Sequence, residues 1–143
     1  MLIAILSGLL ASTQAPAAPA RTAPAVEVGR FNEAAFPEAA IRERRMPRDA
    51  MLSRVEEILR ERNCRLEGQT HRSFDIRVPY VVKLEPDGTP TRFVVADMGC
   101  QPLESFVGRV VLELTRVGDF RPTGQSDAQW YRSEVRFTVG AHD

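Results

Sequence analysis

The chain reads as an α+β domain: two helices packed on one face of a three-stranded antiparallel sheet, in the order helix, strand, strand, helix, strand. Three observations carry that reading. From Phe74 to Leu84 every second residue is apolar (Phe74, Ile76, Val78, Tyr80, Val82, Leu84), the period of a strand with one buried face. Residues 47–63 and 102–117 instead repeat their apolar positions at three- and four-residue spacing, the period of helices. With 143 residues there is chain enough for one domain and not comfortably for two.

Residues 74–98 read as a hairpin. Asp75, Arg77, Pro79, Lys83 and Glu85 fall between and just after the apolar positions, and Val81 alone breaks the alternation. Pro86-Asp87-Gly88-Thr89 is a turn, with Gly88 suited to positive φ. Residues 91–98 form the returning strand. Such a pair is marginal in water until its apolar face is covered. The first helix supplies Met51, Leu52, Val55, Ile58 and Leu59 on one side, with Arg54, Glu56, Glu57, Arg60, Glu61 and Arg62 on the other, and Asp49 is placed to cap it. In the second helix Pro102 suits the first turn and Leu103, Phe106, Val107, Val110, Leu114 and Val117 make the stripe. Gly118 is placed to stop it. Gly108, costly in mid-helix, marks close packing on the sheet. Phe120 sits in the following loop and is expected under the core. Residues 128–139 make the last strand: Tyr131, Val135, Phe137 and Val139 share one face, with Arg132, Glu134, Arg136 and Thr138 between them.

Residues 2–11 are an apolar run about ten long, half of what a membrane-spanning helix needs. Small residues suited to cleavage follow up to Ala20, as in a secretory signal. No Lys or Arg precedes the run, so either the amino terminus alone supplies the positive charge or the basic region lies upstream of Met1. No Cys follows at a lipidation position. The expected organisation is a signal peptide over residues 1–20 and an Ala/Pro-rich linker with a partly ordered segment over 21–46. The folded domain follows over 47–141 and is expected to be exported. The Arg42-Glu43-Arg44-Arg45 cluster reads as a solvated face rather than a basic docking patch, because neighbouring acids dilute it.

Nineteen residues of each sign give no reason to expect nucleic acid or an acidic membrane as the main partner. All but one of the basic residues are Arg, the exception being Lys83, a bias more suggestive of genome composition than of chemistry. Two cysteines and two histidines, without metal-ligand spacing, point to no metal and no cofactor. Cys64 and Cys100 flank the hairpin, and in an oxidising compartment they are expected to form a disulfide. The rival reading, a reactive thiol at Cys100 before a helix, lacks a general base nearby. His71 and Asp75 are not directed at one another by their spacing, and Asp97 with Glu104 would need a pocket to work as paired carboxylates. No catalytic residue is assigned, and an enzyme is not expected. Trp130 is either a stacking platform for a ligand or part of the packed edge. Arg132 and Arg136, on one face, either grip an acidic peptide or keep an edge strand soluble.

From about Asp49 to Val139 the chain resembles the TonB C-terminal domain family. The likeness rests on the helix–hairpin–helix–strand order, on Asp87-Gly88 at the turn, on Gly118-Asp119-Phe120-Arg121-Pro122, and on Trp130-Tyr131-Arg132 leading into Val135-Arg136-Phe137. Gly118 replaces the first aromatic of the family's aromatic-x-aromatic-x-Pro stretch, and the family's Tyr-Pro approach and Gly-rich lead-in are absent. The resemblance implies a periplasmic module that binds a protein partner, such as an outer-membrane transporter or its N-terminal peptide segment. The partner would add an extended segment to the edge of the last strand, which the chain is expected to leave unpaired. The implied partner-binding residues are Trp130, Tyr131, Arg132, Glu134, Arg136 and Thr138. A complete energy transducer is not implied. That role needs a retained anchor and a long spacer, and this linker of about fifteen residues reaches roughly 45 Å. The alternative is a structural envelope domain of the same fold that has lost peptide capture and pairs two copies through the same edge.

Overall fold

The computed structural model describes residues 15–16, 22–62, 64–67, 69–70 and 73–140. The expected signal peptide and His71 lie outside the described residues, apart from Ala15 and Pro16. The elements are β1 (Ala25–Gly29), a 3-10 turn (Glu33–Ala35), α1 (Asp49–Glu61), β2 (Phe74–Leu84), β3 (Pro90–Ala96), α2 (Gln101–Leu114) and β4 (Gln129–Val139). None of the described helices is long and apolar enough to cross a membrane.

The class is α+β with two helices, but the sheet has four strands, in the order β1-β3-β2-β4. The three expected strands are present and antiparallel, β2 lying between β3 and β4. The fourth is a correction. Residues 25–29, expected in a linker, pair in parallel with β3, from Ala25 opposite Arg92 to Gly29 opposite Ala96. Val26 and Val28 alternate with Glu27 as a strand requires, but five residues among alanines and prolines are too short to announce themselves.

β2 occupies the centre because its even-numbered side chains bury on one face along its whole length. They meet Phe93 and Val95 of β3, Val135 and Phe137 of β4, and Met51, Val55, Ile58 and Leu59 of α1 in one core, closed by Leu103, Val107, Val110 and Val111 of α2. Burying an aliphatic or aromatic side chain contributes about 1.5–3 kcal/mol, so this shared face supplies the main drive for folding. Pro79 is tolerated in a central strand because the β2–β3 ladder begins at Tyr80. α1 lies towards β4 and α2 towards β3 and β1. Gly108 is a point of close approach: a Cβ there would lie 2.9 Å from Val26 Cγ1. That is the close packing its cost in the helix implied.

Three local expectations are corrected. Asp49 is the first helical residue of α1 rather than its cap; Arg48 holds the cap position without a side-chain hydrogen bond. α2 ends at Leu114, before Gly118, because Thr115 turns to extended φ/ψ. Val117 therefore leaves the stripe and is 64% exposed, while Val111 takes a core position. Phe120 is buried as expected.

Cys64 and Cys100 are joined, with Cα atoms 5.9 Å apart. The bond ties the chain leaving α1 to the residue that caps α2. The hairpin turn is fixed from outside. Gly88 has φ +88°, and a Cβ there would lie 2.6 Å from the Phe120 carbonyl oxygen. Thr123 N–H also donates to the Pro86 carbonyl at 3.1 Å. The turn is thus docked on the loop that follows α2.

Two outcomes follow for stability. Gly88→Ala, which meets both a disfavoured φ and a backbone oxygen, is predicted to cost about 3 kcal/mol in urea unfolding. A loss under about 0.5 kcal/mol would mean the turn is free to move away from the loop. Breaking the disulfide, which spans 36 positions, is predicted to cost about 4 kcal/mol on the chain-entropy account. Comparing denaturant midpoints of the native protein and a Cys64→Ser/Cys100→Ser variant checks this, and equal midpoints would count against it.

Candidate edge-strand binding site

The site residues expected from sequence lie along β4, and an edge strand has two surfaces for a partner: its side-chain faces and its unpaired backbone. Side chains alternate. Ser133, Val135 and Phe137 are buried on the helix side, where Tyr131 packs partly buried against the core. Trp130, Arg132, Glu134, Arg136 and Thr138 therefore share the opposite face. Five of the six expected partner-binding side chains come together, and Tyr131 is directed away from them.

Four of these five are engaged with neighbouring side chains. The Arg92 guanidinium lies over the Trp130 ring, 5.6 Å from its centroid, and also bonds Glu27 at 2.5 Å. Glu134 bonds Arg77 from the neighbouring strand. Thr138 Oγ1 donates to Asp75 at 3.0 Å. Arg136 stands 3.8 Å from both Asp75 and Glu134, a loose arrangement for a half-exposed side chain.

The backbone edge differs from expectation. Arg132 N–H donates to the Pro37 carbonyl at 2.8 Å, and the Arg132 carbonyl accepts from Ala39 N–H at 2.9 Å. The middle of the edge, expected to be unpaired, is occupied by the chain itself. Residues 30–46 form a strap. It leaves β1 at Arg30, which pairs with Asp97 at 3.3 Å. It then crosses the sheet face opposite the helices, where Glu33 bonds Arg77 at 2.5 Å. Val81, on that face, is only 3% exposed, so the face is covered at that point, while Asp75 and Arg77 on the same face stay exposed. Past Arg132 the strap runs against the loop after α2. Arg42 N–H donates to the Asp119 carbonyl at 2.6 Å and Arg121 N–H to the Ala40 carbonyl at 2.9 Å. Asp119, buried, bonds the Arg45 guanidinium and accepts from Arg116 N–H at 2.7 Å. Arg45 is thus an anchor of the strap, where the sequence cluster read as a solvated face.

Alternation along β4 makes the outward backbone that of Trp130, Arg132, Glu134, Arg136 and Thr138, since Arg132 points outward. The Glu134 carbonyl accepts Arg44 Nη1 at 3.5 Å. Beyond it, no described residue bonds the outward backbone of Arg136 or Thr138. Among the described residues the edge is open at Trp130 and, over a longer stretch, at the C-terminal end of β4.

The remaining chemical candidates are engaged in structure. Glu104 is buried and accepts from Met98 N–H at 3.2 Å. Asp97 accepts from Gly99 N–H at 3.0 Å, which with the Arg30 guanidinium holds its carboxyl below the usual range. Both carboxylates serve the entry to α2. Burial pushes the Tyr80 phenol up from its ordinary value. Among the described residues there is no free cysteine and no group of three or more potential metal ligands. The strap residues that matter most, Glu33, Pro37, Ala39 and Arg45, were missed in sequence; no periodicity marks them, because each answers to a distant partner.

Comparisons with family models, curated proteins and solved structures find no match to this chain.

The Glu33–Arg77 pair gives the strap a pH dependence. The Arg77 hydrogen bond, reinforced by the charges of Arg77 and Arg132 and opposed by burial, holds the Glu33 carboxyl below its ordinary 4.5. A lowered native pKa means stabilisation present above the unfolded value and lost as pH falls through the native one. The hydrogen-exchange protection of Ala39 N–H is therefore predicted to be constant above pH 4.5 and to fall below it. Glu33→Gln should remove most of that dependence; an unchanged profile would assign it to another carboxylate.

Proposed function

We propose that this chain is a periplasmic protein-interaction domain of the TonB C-terminal kind, which takes up an extended segment of an envelope partner by strand addition. The observation that carries the reading is the outward backbone of Arg136 and Thr138, without a partner among the described residues at the end of an eleven-residue edge strand. An edge of this kind is completed by a chain offering N–H and C=O groups in register. The disulfide supports an oxidising compartment, since such bonds persist there and are rare in a reducing cytosol. Arg136, loosely held, is a cation able to turn towards an acidic residue of the partner. The partner proposed is a protein, an outer-membrane transporter or its N-terminal segment. No role as a complete energy transducer is proposed.

One observation favours a second reading. The strap closes the middle of the edge, as a purely structural envelope domain would require, leaving the open end to pair two copies.

The two separate in one experiment. A photo-crosslinking residue is placed at Arg136 and, as a control, at Ser53 on the exposed side of α1, in protein expressed with its own N-terminus. The first reading predicts a heterologous adduct at position 136 and none at 53. An adduct only to a second copy favours the structural reading, and equal adducts at both positions would remove strand addition altogether.

A further inference from the structure

The segment that closes β4 is itself bound as a ligand would be. Its odd residues face β4: the Pro37 carbonyl and Ala39 N–H take both backbone groups of Arg132. Its even residues face the loop after α2: the Ala40 carbonyl and Arg42 N–H pair with Arg121 and Asp119. An extended chain is thus held on both sides in a groove between β4 and residues 119–121. Ala39 is 5% exposed, so the position takes a small side chain. Ile41 packs against the core beside Phe120. Glu38 lies opposite Arg132, whose guanidinium has no carboxylate within ion-pair distance among the described residues.

We propose that residues 36–42 are a tethered occupant of a peptide-binding groove. The partner that fits this groove is an extended protein segment of the same chemistry: aromatic, Pro, acid, small, small, aliphatic, base. The inference rests on the reading of β4 as a partner-binding edge and names what the partner looks like. The strap pairs with β4 at one residue, Arg132, although the strand turns five residues' backbone outward. A strand not bound to turn away towards Phe120 continues past Glu134 onto Arg136 and Thr138, gaining bonds the strap never makes. Of the strap's ion pairs, Glu33 on Arg77 and Arg30 on Asp97 lie at the exposed surface, while Arg45 on buried Asp119 holds it beyond residue 42. The tether gives it an effective concentration that a free segment must exceed, so the groove is closed by default and opens to a longer competitor.

The test uses the full-length chain and a capped synthetic peptide with the sequence of residues 36–42. Ala39→Pro removes the N–H given to Arg132 and so releases the strap. Glu33→Arg sets like charge against Arg77 and loosens the strap without touching the groove, which covers the case in which the first variant fails to fold. Amide spectra of each folded variant are titrated with peptide. The expected result is shifts at Arg132 and Arg121, with an affinity at least about tenfold above that of the unaltered chain, whose own strap competes. A peptide carrying Glu38→Lys and Ile41→Asp should lose the effect. Folded variants whose Arg132 and Arg121 amides ignore the peptide up to millimolar concentration would overturn the inference, as would equal binding of the altered peptide. Because the probe is the chain's own sequence, this result is independent of the crosslink at Arg136. Failure there removes the envelope partner and leaves the groove, whereas failure here leaves the open end of β4 as the only binding edge.

Discussion

Unpaired backbone at the margins of a sheet is the constraint to which the rest of this chain answers. Two helices and three strands bury a core, yet they leave β3 and β4 each with one row of N–H and C=O groups facing outward. The thirty or so residues before α1, unremarkable in composition, pair the first row and close the middle of the second. β1 lies along β3, and the strap carries the chain across the free face to Arg132 on the far side. Its ion pairs at Asp97, Arg77 and Asp119 fasten that crossing at its start, middle and end. The pairs at the surface contribute little each. Asp119 is different, because a carboxylate this deeply buried must keep its partners.

What was legible in the sequence was what repeats locally. The limits of β2 could be read residue for residue, since alternation from Phe74 to Leu84 reports a face that one neighbouring layer covers. The stripes of α1 and most of α2 were legible for the same reason. Gly108 could be read as a close approach, because a glycine in a helix needs a reason; Val26 supplies it, although β1 itself went unseen. The disulfide followed from two cysteines at element ends.

What was not legible depends on pairing at a distance. β1 has only Val26 and Val28 to show, and its register is dictated by β3 more than sixty residues on, as in Glu27 with Arg92. The strap has no repeating face because it is covered in turn by different things: ions, a strand edge and a loop. Of the candidate site, the side chains of β4 were placed correctly on one face, Tyr131 excepted, while the state of its backbone was not. A strand's own sequence says which side chains alternate, and says nothing of what lies beside it.

The strap has a consequence for the order in which the molecule assembles. Arg44 and the Glu134 carbonyl it touches are 90 positions apart, with every element of the core between them. A chain made from its amino end produces the strap first and the strand that receives it last. Closing so wide a loop early costs entropy that only a finished β4 returns. The core of α1 to β4 is therefore expected to form before the arm can seat, so that a seated arm marks a chain complete to its final strand.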